Sequence, residues 1–337
     1  MTGAAEPRAA IIGAGLMGRW HADAVRRIGG RVTVIVDPNH DARDALGRRH
    51  PEARLVSDLD PALIARYSNA AHVCTPLPTH APIVASLVGA GVPALVEKPF
   101  TESAESTATV LSLAESRRVV VCPVHQFLFQ NGVLRLLDWI PAIAPVRRIE
   151  FSTFSAGALA PDPASLDELV SEILPHPVSL VSAILRSPVA RAGWQVSSSS
   201  PGELHAVATI EDTIVTIGIS AHARPTENVL RIVGDGGSAS ADLFHGFAVR
   251  HGGTTSRTAK ITRPFVIAGT TLQSASANLV RRAARRESAY PGLRELTARF
   301  YAAVRGDAEP PITADAMLDV ATARDQLLSG MRALRRV

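Results

Sequence analysis

Of the 35 basic residues in this 337-residue chain, only Lys98 and Lys260 are lysine. In a sequence that writes arginine elsewhere, a lysine points to a place where an amine able to release its proton is wanted, because a guanidinium cannot do so. Lys98 stands in Glu97-Lys98-Pro99, directly after the apolar run Ala94 to Val96. A partly desolvated ammonium there can donate a hydrogen bond to a substrate oxygen or relay its proton, burial moving its pKa toward the working range. A plain ion pair with Glu97 is the alternative. A second pairing lies in Glu172-Ile173-Leu174-Pro175-His176-Pro177-Val178-Ser179. A carboxylate and an imidazole four residues apart share a face if the segment is helical, and histidine is the usual proton acceptor near neutral pH. Pro175 is tolerated only in a first turn and Pro177 would kink anything longer, so Glu172 is equally readable as part of a separate preceding turn.

Gly13-Ala14-Gly15-Leu16-Met17-Gly18 sits between the strand-like run ending at Ile12 and an amphipathic stretch, the context that a dinucleotide fingerprint requires. Gly13 permits the tight turn and Gly15 lets the backbone approach a pyrophosphate. Leu16 and Met17 open the helix whose N-terminus attracts the phosphates, and Gly18 allows close helix-to-strand packing. Beyond it, Asp37 ends the second run; a carboxylate there accepts hydrogen bonds from the adenosine ribose and repels a 2′-phosphate. That favours NAD, with NADP still possible because Arg43 is close in sequence. In Cys74-Thr75-Pro76-Leu77-Pro78-Thr79-His80 another run gives way to a helix. Ligands of an open parallel sheet sit beyond the carboxyl ends of its strands, so Thr75 and Pro76, Glu97 and Lys98, and Gln126 are cofactor-lining candidates. His80 reads either as cofactor-proximal or as a satisfied helix-start residue.

The frame that must hold these groups is legible as two patterns. Ala9 to Ile12, Val32 to Val36, Ala71 to Cys74, Ala94 to Val96 and Val119 to Cys122 are short apolar runs of the buried parallel-strand kind. Between them Leu16 to Ile28, Ala42 to Arg49, Ala81 to Ala90 and Ser103 to Glu115 are amphipathic. Strand and crossover helix in alternation predict an α/β Rossmann domain, a doubly wound parallel sheet, over residues 1–122. From residue 123 the pattern changes. A helix near Gly132 to Ile140 and an alternating strand Val146 to Phe154 precede helical stretches at Ser165 to Leu174 and Val178 to Leu185. Leu204 to Glu211, Thr213 to Ala221, Asn228 to Val233, Ser238 to Phe244 and Phe247 to Arg250 then read as consecutive strands joined by tight turns. Helices near Leu272 to Arg286, Leu293 to Val304 and Ala314 to Leu328 close the chain. Residues 123–337 are therefore expected to form an α+β domain with a large, mostly antiparallel open sheet, for substrate binding and oligomerisation, the final helices able to pack back on the first domain.

With 46% hydrophobic and 20% charged residues the chain can bury the cores of two domains. No apolar run reaches the roughly 18 residues of a membrane span and Met1 to Arg8 lacks a signal pattern, which predicts a cytoplasmic protein that engages no membrane. Two cysteines, Cys74 and Cys122, are too few for a disulfide framework or a four-ligand zinc site, and no metal is expected. The net charge of +4 and the cluster Arg281, Arg282, Arg285 and Arg286 could suit nucleic acid. No nucleic-acid motif accompanies them and aromatics are few, so a solvated or interface helix face is preferred and no nucleic-acid partner is expected.

Taken in order, the motifs resemble the Gfo/Idh/MocA family of oxidoreductases across nearly the whole chain. The resemblance is carried by Gly13 to Gly18 with Trp20-His21 after it, Asp37, Cys74-Thr75-Pro76 with His80, Glu97-Lys98-Pro99, and the spacing of Glu172 and His176. Ile232-Val233-Gly234-Asp235-Gly236-Gly237 and Pro310-Pro311-Ile312-Thr313 complete it. It implies a Rossmann domain plus an open sheet domain whose outer face commonly pairs subunits, hence a homodimer or homotetramer. It also implies NAD(P)-dependent hydride transfer at a secondary hydroxyl or ketone of a sugar, cyclitol or related small-molecule polyol. The family's matching lysine and histidine, here Lys98 and His176, handle the hydroxyl proton, and the acid at Glu172 assists. Three departures stand out: glutamate at 172 and Ser179 where the family usually has aspartates, an apolar run His125-Gln126-Phe127-Leu128-Phe129 where it often has polar residues, and Leu166 to Ser171 in place of a glycine-rich lead-in. They leave open an imine or keto reductase of a less polar substrate, or a catalytically inactive NAD-sensing protein.

Overall fold

The computed structural model describes residues 6–154, 162–253, 256–286 and 289–334. Six short segments, β1 (Arg8–Ile12), β2 (Arg31–Val36), β3 (Arg54–Val56), β4 (Ala70–Val73), β5 (Ala94–Val96) and β6 (Val121–Pro123), pair in parallel in the order β3-β2-β1-β4-β5-β6. This is the doubly wound order, with its reversal between β1 and β4. Helices α1 (Leu16–Arg27), α2 (His40–Gly47), α3 (Pro61–Tyr67), α4 (His80–Gly89) and α5 (Ala104–Arg117) make the crossovers. All four residues of β4 and all three of β5 are buried, which is why these strands read as apolar runs, interrupted in β4 only by His72, rather than as alternating ones. The edge strand β3 lacks that signal because Arg54 and Leu55 are exposed, and the apolar runs read from the sequence pass over it. Helix α3 was likewise passed over, although Asp60 caps it and Pro61 opens its first turn.

The second sheet holds seven strands, β7 (Val146–Phe154), β8 (Gln195–Ser197), β9 (Glu203–Ile210), β10 (Thr213–Ser220), β11 (Glu227–Gly234), β12 (Gly237–Asp242) and β13 (Phe247–Gly252), in the order β13-β12-β11-β7-β10-β9-β8. Only β7 and β10 run parallel; the other pairs are antiparallel. Burial alternates along β9 and β12, so one face of the sheet makes a core and the other does not. With this sheet go α6 (Asn131–Ile143), α7 (Pro163–Ile173), α8 (Pro175–Leu185) and α9 (Arg257–Ala284), while α10 (Leu293–Val304) and α11 (Ala314–Leu334) end the chain.

By internal contacts the chain forms two units, one running to His125 and taking in Leu293–Ala321, the other Gln126–Gly292 with the chain from Thr322 onward. Within the first unit α10 packs on α1, burying Leu296, Phe300 and Tyr301.

Two helical expectations need correction. The helix expected from Leu272 begins at Arg257 and ends at Ala284, with Pro264 inside it. Its front half is rich in threonine and exposes Ile261 and Phe265, so neither propensity nor a core-facing stripe marks it. The stretch Pro163–Leu185 is, contrary to the expectation from apolar runs, long and apolar enough by composition to cross a bilayer. It is two helices meeting at Leu174, and Val170, Leu174, Val178, Leu180 and Val181 are buried inside the second unit.

Candidate active site

The glycine-rich turn follows β1 directly. Gly13 adopts φ +93°, and a Cβ on it would strike the Cys74 carbonyl. A Cβ on Gly18 would collide with the Gly13 carbonyl, so α1 lies against the turn as closely as backbone allows. At Gly15 the space is open. Helix α1 starts there with no side-chain cap and no acid in its first turn, and Leu16 is exposed beside it. The amides that a helix start leaves unpaired therefore have no internal carboxylate to satisfy them. Met17 occupies the same first turn. At the end of β2, the Asp37 carboxylate accepts from the Ala14 amide at 2.6 Å and from the Asn39 amide at 2.8 Å. The Arg43 guanidinium donates to the Asp37 carbonyl at 2.7 Å.

The next strand ends converge on the same edge through the sheet ladder. Cys74 N bonds Ile12 O at 2.7 Å, Glu97 N bonds Val73 O at 2.9 Å and Val124 N bonds Val96 O at 2.8 Å. Thr75 and Pro76 follow β4, and the Thr79 hydroxyl donates to Thr75 Oγ1 at 2.7 Å. His80 is buried with Nε2 2.8 Å from the Thr75 carbonyl and Nδ1 2.9 Å from the Pro99 carbonyl, which ties the loop after β4 to the loop after β5. Glu97 is buried and Lys98 half-buried. One Glu97 oxygen lies 3.0 Å from His21 Nε2 and the other accepts the Lys98 amide at 3.1 Å. Burial alone would raise the Glu97 carboxyl, but the hydrogen bond from His21, with the charge and amide of Lys98, outweighs it and holds the group below its ordinary range. His125, beyond β6, is buried and pushed down to about 4 by desolvation, against a smaller upward pull from Glu97. Its Nδ1 has no hydrogen-bond partner among the described residues.

In the second unit, Gln126 begins a short helical turn and its Oε1 is likewise buried without a partner among the described residues. Glu172, half-buried, lies in the last turn of α7, and His176 lies in the first turn of α8 behind Pro175. The two are thus on adjoining helices rather than on one. Leu174 keeps right-handed helical angles between them, and Leu174 N still bonds Val170 O at 3.1 Å. Proline has no N–H, so Pro175 leaves the Ser171 carbonyl without its helical partner. Arg324 supplies the missing donor: Nε reaches Ser171 O at 3.1 Å and Nη2 reaches Ser171 Oγ at 2.6 Å. The His176 ring is buried, and the Phe127 ring stacks on it at 4.1 Å between centroids and 22° between planes. The Ser179 hydroxyl donates to the His176 carbonyl at 3.0 Å.

Residues 7–125 match the model of an oxidoreductase family described by its NAD-binding Rossmann fold, Gfo/Idh/MocA. Over this domain the chain is similar to the Gfo/Idh/MocA oxidoreductases. An inositol 2-dehydrogenase of Rhodococcus erythropolis is 35% identical over 133 residues, 39% of this chain and 36% of that protein. A UDP-N-acetylglucosamine 3-dehydrogenase of Acidithiobacillus ferrooxidans is 30% identical over 178 residues, 51% of this chain and 52% of that protein. The chain thus aligns with only about a third to a half of the length of these curated relatives. The fold likeness extends further: a solved structure of a UDP-N-acetylglucosamine 3-dehydrogenase from Acidithiobacillus ferrooxidans superposes with TM-score 0.76 over 98% of this chain and 99% of that one, at 17% identity.

The features that the structure adds to the sequence reading are His72, Tyr301, Arg324 and the placement of Phe127. His72 had a local signal, a histidine in an otherwise apolar buried strand, which obliges a polar partner. Tyr301 and Arg324 had none, because their partners lie 229 and 153 residues away in sequence.

Proposed function

We propose that this protein is an NAD-dependent oxidoreductase that moves a hydride between the nicotinamide and a carbon bearing a secondary hydroxyl or its ketone form, in a cyclitol, sugar or related polyol. The observation that carries the reading is Lys98 itself: one of two lysines, half-buried at the carboxyl end of β5, with its amide bonded to a buried, ionised Glu97 in an NAD-binding Rossmann domain. The residues suit the cofactor. The uncapped start of α1, the open space at Gly15 and the orphaned His125 Nδ1 are polar groups or space with no partner among the described residues. Gly13, Gly15, Leu16, Met17 and Gly18 would hold the diphosphate, Asp37 the adenosine ribose, and Thr75, Pro76, His80, Glu97, Lys98 and Gln126 the remainder. When bound, NAD supplies a hydride acceptor, and NADH a donor.

Each polar residue then has a task. Lys98 donates a hydrogen bond to the reacting oxygen and steadies the negative charge that grows on it. His176 takes the hydroxyl proton in oxidation and returns it in reduction, and Glu172 tunes or orients it. The names of the relatives, an inositol and a UDP-sugar dehydrogenase, support a cyclitol or sugar hydroxyl as the target. Phe127 on the face of His176 favours a second reading, reduction of a less polar keto or imine compound, since an aromatic ring there offers no hydroxyl recognition. We also propose that the protein works as a homodimer or homotetramer.

Fluorescence titration with NADH and NADPH, followed by a panel of polyols, sugars and their keto forms on the same sample, tests the reading. NADH binding with turnover on a polyol or sugar is expected. Turnover confined to apolar ketones or imines would select the second reading, and absence of cofactor binding would overturn both.

A further inference from the structure

Behind Glu97 stand three buried polar side chains that the roles above do not use. His21 on α1, His72 on β4 and Tyr301 on α10 are 0%, 0% and 1% exposed. His21 Nε2 lies 3.0 Å from Glu97 Oε1, His21 Nδ1 lies 2.8 Å from His72 Nδ1, and His72 Nε2 lies 3.2 Å from the Tyr301 hydroxyl. The rings are held by one another: His72 stacks on Tyr301 at 5.8 Å and meets His21 edge-on at 5.0 Å.

Every polar atom in this row has one partner, so the hydrogens can be assigned by satisfying all of them. Glu97 is ionised and can only accept, which makes His21 Nε2 a donor. Were His21 Nδ1 protonated as well, His72 would have to accept at Nδ1 and donate from Nε2 to the Tyr301 oxygen. The buried phenol hydrogen would then have no acceptor among the described residues. With His21 Nδ1 bare, His72 Nδ1–H donates to it, Tyr301 O–H donates to His72 Nε2, and no hydrogen is left over. Complete burial pushes His72 well below the ordinary imidazole range, which agrees with a neutral ring.

We propose that Tyr301, His72 and His21 are positioning residues: a one-directional hydrogen-bond chain that fixes the Glu97 carboxylate under the Lys98 amide and so sets where Lys98 stands. The inference rests on the reading of Lys98 as a catalytic group. Aligned hydrogen bonds in a dry interior polarise one another in the same sense, so the terminal phenol strengthens the bond at Glu97. An apolar filling of the same volume would pack as well and would orient nothing.

The test needs no substrate. In the full-length protein with 15N-labelled histidine at neutral pH, long-range proton–nitrogen spectra should show His72 as the Nδ1–H tautomer and His21 as the Nε2–H tautomer. A doubly protonated His21 or an Nε2–H His72 would overturn the chain. Positioning is read separately, by 13C-dimethylation of the two lysines. Tyr301→Phe, which keeps the ring, should shift the Lys98 methyl signal and leave that of Lys260 in place as the internal control of fold. A stationary Lys98 signal would overturn the positioning role. Once a substrate is in hand, Tyr301→Phe should lower kcat about tenfold, the effect of one hydrogen bond, with NADH affinity unchanged. Failure of the tautomer test would leave the dehydrogenase reading standing, and absence of turnover with the tautomers as assigned would remove the latter alone.

Discussion

The Asp37 carboxylate closes on the glycine-rich turn, its Oδ2 taking the Ala14 amide at 2.6 Å. One side chain at the end of β2 thereby braces the turn after β1, and it does so with one lone pair of an oxygen that has two. The second lone pair on each oxygen remains for a ribose hydroxyl, so under the proposed function a single carboxylate would both shape the loop and read the nucleotide.

Asp37→Ala is therefore expected to weaken NADH binding in absolute terms and to lower the preference for NADH over NADPH by roughly tenfold or more, the loss of charge-assisted hydrogen bonds and of repulsion toward a 2′-phosphate. Fluorescence titration with both nucleotides measures it. An unchanged ratio with uniformly weaker binding would reduce Asp37 to a loop brace, and Arg43 would then be the residue to vary next.

Lys98→Met and His176→Ala should each reduce turnover by about 10²-fold or more, the usual weight of a positioned proton carrier, while NADH binding persists. Steady-state rates with the best compound of the polyol panel decide the matter. A near-normal rate in either variant removes that residue from the chemistry. His176→Ala also unstacks Phe127, so Phe127→Leu is the companion that separates loss of the imidazole from loss of the ring contact.

Stability should fall as the medium is acidified below pH 6.5. His125 titrates near 4 in the folded chain against 6.5 when unfolded, so between those values the unfolded state binds more protons and stability rises with pH. The full effect, reached below the folded value, is about 3 kcal/mol at 1.36 kcal/mol per unit. His72, also pushed down by burial, acts in the same direction below pH 6.5. Glu97, held below its unfolded value of 4.5, adds a further loss at lower pH still, as its carboxylate is forced to protonate. Urea midpoints from pH 8 to pH 4 should trace this slope, and His125→Gln should flatten it above pH 4.5; a wild-type profile flat to pH 5 would contradict the buried neutral histidines.

Where local chemistry dictates structure, the sequence was a sufficient guide. A turn after an apolar run admits Gly13 and Gly18 for steric reasons, and a parallel sheet buried on both faces makes β4 and β5 almost wholly apolar, His72 excepted. What was illegible depends on partners far along the chain or on elements with no apolar face. β3 hides because its residues are exposed, and the front of α9 hides because its large side chains point outward. The row from Tyr301 to Glu97 joins four segments, and nothing short of the fold brings Tyr301 to His72. Glu172 and His176 were readable as a pair, but whether one helix or two carried them turned on how the chain compensates for Pro175.

That compensation gives the last prediction. Arg324 donates to the Ser171 carbonyl that Pro175 leaves without an amide, and the residue is 4% exposed. Arg324→Met should cost about 1–3 kcal/mol, because the carbonyl and hydroxyl of half-buried Ser171 lose their donor together. Pro175→Ala restores an N–H aimed at Ser171, since Leu174 already has helical angles and Leu174 N bonds Val170 O. In the Pro175→Ala background the same Arg324→Met change should therefore cost less, by about 0.5 kcal/mol or more in a double-mutant cycle of urea unfolding. Strictly additive effects would mean that Arg324 stabilises the second unit by packing alone and that the junction of α7 and α8, on which the placement of His176 depends, is held by something else.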